Sequence, residues 1–387
     1  QHTSLFSEPG ETYNWRVRVF NGSEWLTQTY SFNAELFVLK WQYDMEVSDT
    51  YIGPLAVDVD GDGIYEVFAT GEDKVVALNG LTGELLWEHI DTDIPLHAPF
   101  ELGDLNNDGT PELVVAALHN TIALHANNGS VYWKSKADSG DHHLLILDIN
   151  GDRYPHVYVT SSDIHNMENG TGRLRKLDGQ TGEVLAETFS WKPCWGGLAA
   201  ADLENDGDFE IFMSDRSAYY KPPNLAQGPR AFDADTLETL WFHDELLASS
   251  HPPQVVPDLT GDDVQEVIAL NQNSGGGICV IDGATGQKVP GKCELALGVG
   301  THSSFPVFDI DNDGNLELIT ARDGPAVVWD LETWTEDARL DRFIEPPKVA
   351  NILGDEDFEI IGGLGDIWVY DNEYQYIDKI RGASAIP

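Results

Sequence analysis

Short apolar runs alternate with clusters of Asp, Asn and Gly along most of the chain, without the 3.6-residue spacing of an amphipathic helix. The pattern is clearest between residues 54 and 87. Pro54-Leu55-Ala56-Val57 leads into the acidic stretch Asp58-Val59-Asp60-Gly61-Asp62-Gly63, and Glu66-Val67-Phe68-Ala69-Thr70 leaves it. Val75-Val76-Ala77-Leu78 follows, then Asn79-Gly80-Leu81-Thr82-Gly83, then Leu85-Leu86-Trp87. Apolar runs of this length bounded by turn residues predict four consecutive strands. The five-residue turn recurs at Asp178-Gly179-Gln180-Thr181-Gly182 and at Asp282-Gly283-Ala284-Thr285-Gly286. Gly and Asn or Asp there supply the positive φ that tight hairpins require.

The acidic stretch repeats. Copies begin at Asp58, Asp104, Asp148, Asp202, Asp258 and Asp309, with a degraded copy at Asn351. That period, with strand patterning throughout, predicts an all-β, seven-bladed β-propeller of four-stranded antiparallel blades over residues 36–387. Each acidic loop joins the first and second strands of its blade. Residues 1–35 differ: Tyr13–Phe20, a turn at Asn21-Gly22-Ser23-Glu24 and a run from Trp25 read as strand, turn, strand. This segment resembles the last two strands of a fibronectin type III domain. Phe37–Tyr43 reads as a fourth strand without its blade, placed to close the ring against the C-terminal blade.

Calcium takes six to eight oxygens at flexible distances, and side chains at positions 1, 3, 5 and 9 of such a loop converge on one point. Five copies offer a set: Asp58, Asp60, Asp62 and Glu66; Asp104, Asn106, Asp108 and Glu112; Asp202, Glu204, Asp206 and Glu210; Asp258, Thr260, Asp262 and Glu266; Asp309, Asp311, Asp313 and Glu317. The third has Asp148, Asn150 and Asp152 but His156 at position 9, a poor calcium ligand. The seventh has Asn351 and Leu353 and is expected to be empty. An EF-hand would place its closing Glu at position 12, between helices. The repeat instead resembles the FG-GAP/VCBS repeats of integrin α-like propellers. That resemblance implies an extracellular or cell-surface protein holding about five to six Ca²⁺ ions, with the loops on the bottom face.

Charge supports bound cations: 66 acidic against 22 basic residues give a formal charge of −44. Such a surface repels nucleic acid and anionic membranes, and self-repulsion opposes compactness unless cations relieve it. No apolar run is long enough to cross a bilayer. The chain opens without a signal peptide, so a secreted protein is expected here in processed form. Three cysteines exclude a disulfide-stapled scaffold. Cys279 and Cys293 flank a hairpin turn and fit either a cross-strand disulfide or two buried thiols, leaving Cys194 unpaired. Asn21, Asn128 and Asn169 head glycosylation sequons in turns.

With the acidic loops at the bottom, the first strands begin at the top, near Tyr51, His97, Asp141, Trp195, His251, His302 and Ile344. Long loops on the same face carry Arg216, Tyr219, Tyr220 and Arg322. Tyr51, His97, Trp195, Tyr219, His251 and His302 suit stacking and polar contacts to a glycan or a cell-surface protein. The alternative is a polysaccharide lyase, with His251 or His302 as base, Tyr219 or Tyr220 as proton donor, and Arg216 or Arg322 holding the uronate carboxylate. A third reading is structural, with self-assembly into a layer or filament. The expectation is therefore a calcium-binding propeller for adhesion, glycan or protein binding, or surface assembly. Val76–Trp87 also resembles a repeat of pyrroloquinoline-quinone dehydrogenases and the outer-membrane assembly propeller. That motif serves blade docking. The adjacent cysteines typical of the quinoproteins are absent, so no redox cofactor is inferred.

Overall fold

The computed structural model describes residues 12–20, 25–33, 41–45, 54–95, 98–137, 143–162, 172–190, 197–214, 228–243, 254–271, 277–296, 306–320, 325–343, 348–350, 358–362 and 367–380. A hairpin of β1 (Thr12–Phe20) and β2 (Trp25–Asn33) precedes seven four-stranded antiparallel sheets, each built from four consecutive strands. Blade 1 comprises β3 (Leu55–Val57), β4 (Glu66–Gly71), β5 (Lys74–Asn79) and β6 (Leu85–Ile90). Blade 2 runs from β7 (Phe100–Gly103) through β8 (Glu112–Ala116) and β9 (Thr121–His125) to β10 (Val131–Ser135). Blade 3 holds β11 (Leu144–Leu147), β12 (His156–Ser162), β13 (Gly172–Asp178) and β14 (Val184–Ser190). Blade 4 spans β15 (Leu198–Ala201) to β18 (Thr239–Phe242), and blade 5 spans β19 (Gln254–Val256) to β22 (Lys288–Ala296). Blades 6 and 7 run from β23 (Val307–Phe308) to β26 (Thr335–Phe343) and from β27 (Lys348–Ala350) to β30 (Tyr376–Ile380). The fold is a seven-bladed β-propeller, as the repeat predicts.

Burial explains the apolar pattern within a blade. In β8 every residue is buried, because neighbouring blades cover both faces, so its sequence is apolar without a break after Glu112. The fourth strand β6 is buried only at Trp87 and alternates towards solvent. That one residue carries the contact between blades.

The indole Nε1–H of Trp87 donates to Ala126 O in the blade 2 turn at 2.9 Å, and the ring lies flat where a Cβ on Gly129 would approach to 2.4 Å. Gly129 has φ +70°, so both backbone and space demand glycine. Trp133 repeats this against Gly179 and Gly182 of blade 3, and Trp241 against Gly283 and Gly286 of blade 5. Trp41 does the same to Gly80 and Gly83 of blade 1.

Three interfaces invert the arrangement. Blade 3 carries Ala186 where blades 1, 2 and 4 have Trp, and the facing turn of blade 4 has Leu237 at the positive-φ position instead of glycine. Val289 and Trp334 pack into one cluster between blades 5 and 6, and Ala338 and Tyr374 into another between blades 6 and 7, with Trp334 and Tyr374 at the positive-φ turn position. A large side chain from one side or the other fills each wedge once, as close packing requires.

Cys279 and Cys293 face each other across β21 (Gly277–Asp282) and β22, with Cα atoms 4.1 Å apart, and are disulfide-bonded. Cys194 lies outside the described residues, as does the run 34–40 ahead of Trp41. Among the described residues, no helix is long and apolar enough to cross a membrane.

Two measurements by urea unfolding check the wedge. Trp133→Ala is expected to cost about 3–5 kcal/mol. Ala186→Trp alone is expected to overpack and cost about 1–3 kcal/mol, with most of the loss recovered on adding Leu237→Gly. Independent, additive losses would contradict reciprocal filling.

Candidate cation loops

Each acidic loop is built on its first Asp, which accepts backbone N–H groups from the turn it starts. Asp58 takes those of Gly61, Asp62 and Gly63 at 2.8, 3.2 and 3.0 Å. Asp258 likewise takes those of Gly261, Asp262 and Asp263. This curls the loop so that later side chains turn back towards the first.

The Glu at position 9 opens the second strand and closes the loop from beneath. One carboxylate oxygen accepts the N–H of the residue after the first Asp: Val59 to Glu66 at 2.8 Å, Leu105 to Glu112 at 3.1 Å and Leu203 to Glu210 at 3.1 Å. Leu259 to Glu266 at 2.5 Å and Ile310 to Glu317 at 2.7 Å complete the series. Glu112 and Glu266 have no exposed surface, and Glu317 is 1% exposed.

The loops then differ. Carboxylate oxygens of Asp258, Asp262 and Glu266 lie within 4.8 Å of one another, as do those of Asp309, Asp311 and Glu317, and those of Asp58, Asp60 and Asp62. In the fifth loop Glu266 Oε1 is buried without a hydrogen-bond partner, and in the sixth so is Asp309 Oδ1. Burial, reinforced by the loop aspartates, lifts Glu317 to about 7 and raises Glu266. Orphaned buried acceptors beside further carboxylates fit a hard divalent cation.

The second loop is closed by protein instead. Glu112 Oε1 lies 3.1 Å from His125 Nδ1 and accepts Asn106 Nδ2–H at 3.2 Å, while the His125 ring packs on Tyr132 at 5.1 Å. His125 ends the third strand, where blade 1 has Asn79 and blades 3 to 6 have Asp178, Asp233, Asp282 and Asp330. In the third loop His156 opens β12 opposite Asp178. Burial, then Lys176, pushes its imidazole towards the neutral form, and its Nδ1 has no partner. Asp148, Asn150 and Asp152 hold their turn by backbone contacts but do not gather with a carboxylate at position 9. In the fourth loop burial lifts Glu210 to about 7, while Glu204 and Asp206 are exposed. Asn351 and Leu353 of the seventh loop lie outside the described residues, although Glu359 at position 9 is buried at 1%.

Tyr51, His97, Asp141, Trp195, Arg216, Tyr219, Tyr220, His251, His302, Arg322 and Ile344 also lie outside the described residues. So do Asn21 and Asn169, whereas Asn128 is exposed in the turn that receives Trp87. A polar group missed by sequence reasoning sits between blades 1 and 2. Asp93 meets His119 at 3.3 Å and Asn120 at 2.5 Å, and Lys134 bridges Asp91 at 2.7 Å and Asp93 at 3.4 Å. Glu101 joins blades 2 and 3 by accepting Ile146 N–H at 3.2 Å, and burial lifts it to about 7.

The family model described as outer membrane protein assembly factor BamB matches residues 18–185. No curated protein matches the sequence. Among solved structures, quinohemoprotein alcohol dehydrogenase from Comamonas testosteroni is similar with a TM-score of 0.57 and 14% identity, over 86% of this chain and 67% of that one. A europium-containing methanol dehydrogenase gives 0.61 and 14%, over 87% and 79%. At these identities the likeness establishes the fold.

These matches overturn the FG-GAP/VCBS, integrin-like reading and what it implied. Adhesion, carbohydrate binding, partnership with glycans or cell-surface proteins, and layer or filament assembly are withdrawn, as is the polysaccharide lyase. The physical reason is that Asp-rich loops report local turn chemistry, which unrelated repeats share. The match spans Trp41, Trp87 and Trp133, the residues that dock successive blades.

Glu101 gives a pH test. Its folded pKa lies above the ordinary 4.5, so the native state binds the proton more tightly and stability falls as pH rises from about 4.5 to about 7. With Ca²⁺ in excess, Glu101→Gln is expected to flatten the decline in denaturation midpoint between pH 5 and pH 8. An unchanged slope would mean that Glu101 is not the group responsible.

Proposed function

We propose that the chain is a non-catalytic docking propeller of the BamB type, working on the outer side of the cell envelope in the assembly of outer membrane proteins. The observation that carries the reading is the repeated Trp-to-turn contact, because the family match covers three of its four instances. The Cys279–Cys293 disulfide supports an oxidising compartment. With a charge of −44, the partner surface must be basic or uncharged. The structural neighbours are alcohol and methanol dehydrogenases by description, but the absent cysteine pair favours a scaffold over a quinone enzyme.

Calcium is the cation these oxygen ligands suit, and its role is to hold the fold. Loops 5 and 6 have the strongest case, through Asp258, Asp262 and Glu266 and through Asp309, Asp311 and Glu317; loop 1 follows through Asp58, Asp60 and Asp62. Loops 2 and 3 are excluded by their histidines, which lowers the count from the five to six ions implied by the repeat. Chelation is expected to lower the melting temperature, with Ca²⁺ restoring it and Mg²⁺ restoring little. Glu266→Gln should remove one bound Ca²⁺ by native mass spectrometry, and His125→Ala none. A melting curve indifferent to chelator rules out the structural cation.

The functional reading is tested by cross-linking in intact cells and purification under denaturing conditions. Covalent adducts with outer-membrane assembly components are the expected result. Their absence, with dye reduction when the purified protein receives pyrroloquinoline quinone, Ca²⁺ and an alcohol, would overturn the scaffold in favour of a dehydrogenase.

A further inference from the structure

We infer that the cleft between blades 2 and 3 binds a small dicarboxylate, held by Arg173, Arg175 and Lys136. Nothing in this site depends on the scaffold role. The outer strand of blade 2 and the outer strands of blade 3 leave a cleft of about 580 Å³ that opens to solvent. That size lies within the range of about 300–1,000 Å³ usual for small-molecule sites. Ser135, Lys136 and Ala137 line it from blade 2, and Arg175, Val184 and Glu187 from blade 3. It adjoins a docking wedge, because Gly182 lines it too, and a Cβ there would meet the Trp133 ring at 2.7 Å.

The first observation is a buried arginine where the fold asks for none. Arg175 stands three residues before Asp178, which ends β13, and is 6% exposed. At the same distance from the ends of their third strands, blades 1, 2, 5 and 6 carry Val76, Ile122, Cys279 and Val327, all buried. Blade 4 has Arg230 there, with its guanidinium 4.1 Å over the ring of Phe242 in its own outer strand. Arg175 instead lines the cleft. A buried guanidinium is costly to desolvate, and an apolar side chain serves this place in four other blades. Its use here points to an anion.

The second observation is that the arginines already grip a carboxylate. Arg175 Nε–H donates to Glu187 Oε2 at 2.5 Å, and Arg173 Nη1–H donates to both Glu187 oxygens at 3.0 and 3.1 Å. Arg175 Nη1–H also donates to Ser161 Oγ at 3.4 Å, which fixes the planar group in the cleft wall. Burial alone raises the Glu187 carboxyl, and the hydrogen bonds of Arg175 and Arg173 overcome it and hold the group below the usual range. The guanidinium pair therefore has the geometry that suits a carboxylate.

The third observation is local charge. Acidic residues outnumber basic ones 66 to 22 along the chain. At the cleft the balance reverses, with Arg173, Arg175 and Lys136 against Glu183 and Glu187. Lys134 is left out of that balance because its amine serves Asp91 and Asp93. Charges farther than about 8 Å are largely screened at physiological ionic strength, so the cleft attracts an anion despite the acidic surface around it. A ligand carboxylate competes with Glu187 for the guanidiniums. A second carboxylate suits Lys136, and a short apolar body suits Ala137 and Val184.

The test titrates the full chain, with Ca²⁺ in excess, with succinate and follows the Trp133 indole proton by NMR. A saturable shift is expected, half complete at or below about 1 mM. Trp241, which makes the same contact at another interface, should not respond. Succinamide should give no shift, and inorganic phosphate should bind roughly tenfold more weakly. Glu187→Gln should tighten succinate binding about threefold by removing the competitor, and Lys136→Gln should weaken it by a similar factor. Arg175→Val should weaken it at least about tenfold. The same variant should keep its urea midpoint, since valine holds that place in blade 1. The opposite signs expected for Glu187→Gln and Lys136→Gln keep the test independent of whether Arg175→Val folds. Absence of a saturable shift overturns the site, as does equal binding of succinamide. Phosphate binding as tightly as succinate overturns the carboxylate assignment, and weaker binding by Glu187→Gln overturns the role of the guanidinium pair.

Discussion

Blade docking depends on one wedge, filled by a large side chain either from the outer strand of one blade or from the positive-φ turn of the next. A buried tryptophan removes on the order of 150–250 Å² from water, worth roughly 4–6 kcal/mol as an upper figure. Its indole N–H finds a partner at the turn carbonyl, so burial leaves no polar group unmet. Blade sheets alone cannot supply this stability, because their middle strands are apolar on both faces and must be covered by neighbours. The contact also explains why glycine and tryptophan are linked over about forty residues. Where glycine gives way to Leu237, Trp334 or Tyr374, the outer strand of the preceding blade has no tryptophan, and Ala186, Val289 or Ala338 packs in the same cluster.

The acidic loops answer a different constraint. Each second strand begins with a residue drawn under the loop, and in six of the seven blades that residue is a Glu. Sealing a carboxylate there against loop aspartates needs a positive partner. Three solutions are visible. In loops 5 and 6 buried oxygens remain for a cation; in loop 2 His125 and Asn106 take up Glu112; in loop 3 the carboxylate is replaced by His156. Loops that look equivalent by spacing therefore differ in what they hold, and calcium dependence should centre on blades 5 and 6.

Much of this was legible in the sequence, because strand patterning and a repeated turn are local. The seven blades, their four strands and the placement of the loops followed from period and residue type. The match of residues 18–185 to the BamB family model was not anticipated, since the acidic loops stand out in the sequence while the docking contact joins residues about forty apart. Val76–Trp87 carried the right signal, at the very contact where Trp87 meets blade 2. His125 was missed because its role appears only when the third strands are aligned on the residue facing position 9. The Ala186–Leu237 exchange was equally hidden, as neither residue departs from ordinary strand or turn usage.

The account stands or falls on the indole contacts, which hydrogen exchange of the tryptophan side chains by NMR reads directly. The Nε1 protons of Trp41, Trp87, Trp133 and Trp241 are predicted to exchange at the rate of global unfolding, slower than the indole protons of tryptophans outside these contacts. Fast exchange at these four positions under conditions where the blade amides remain protected would contradict a ring held together by tryptophan docking.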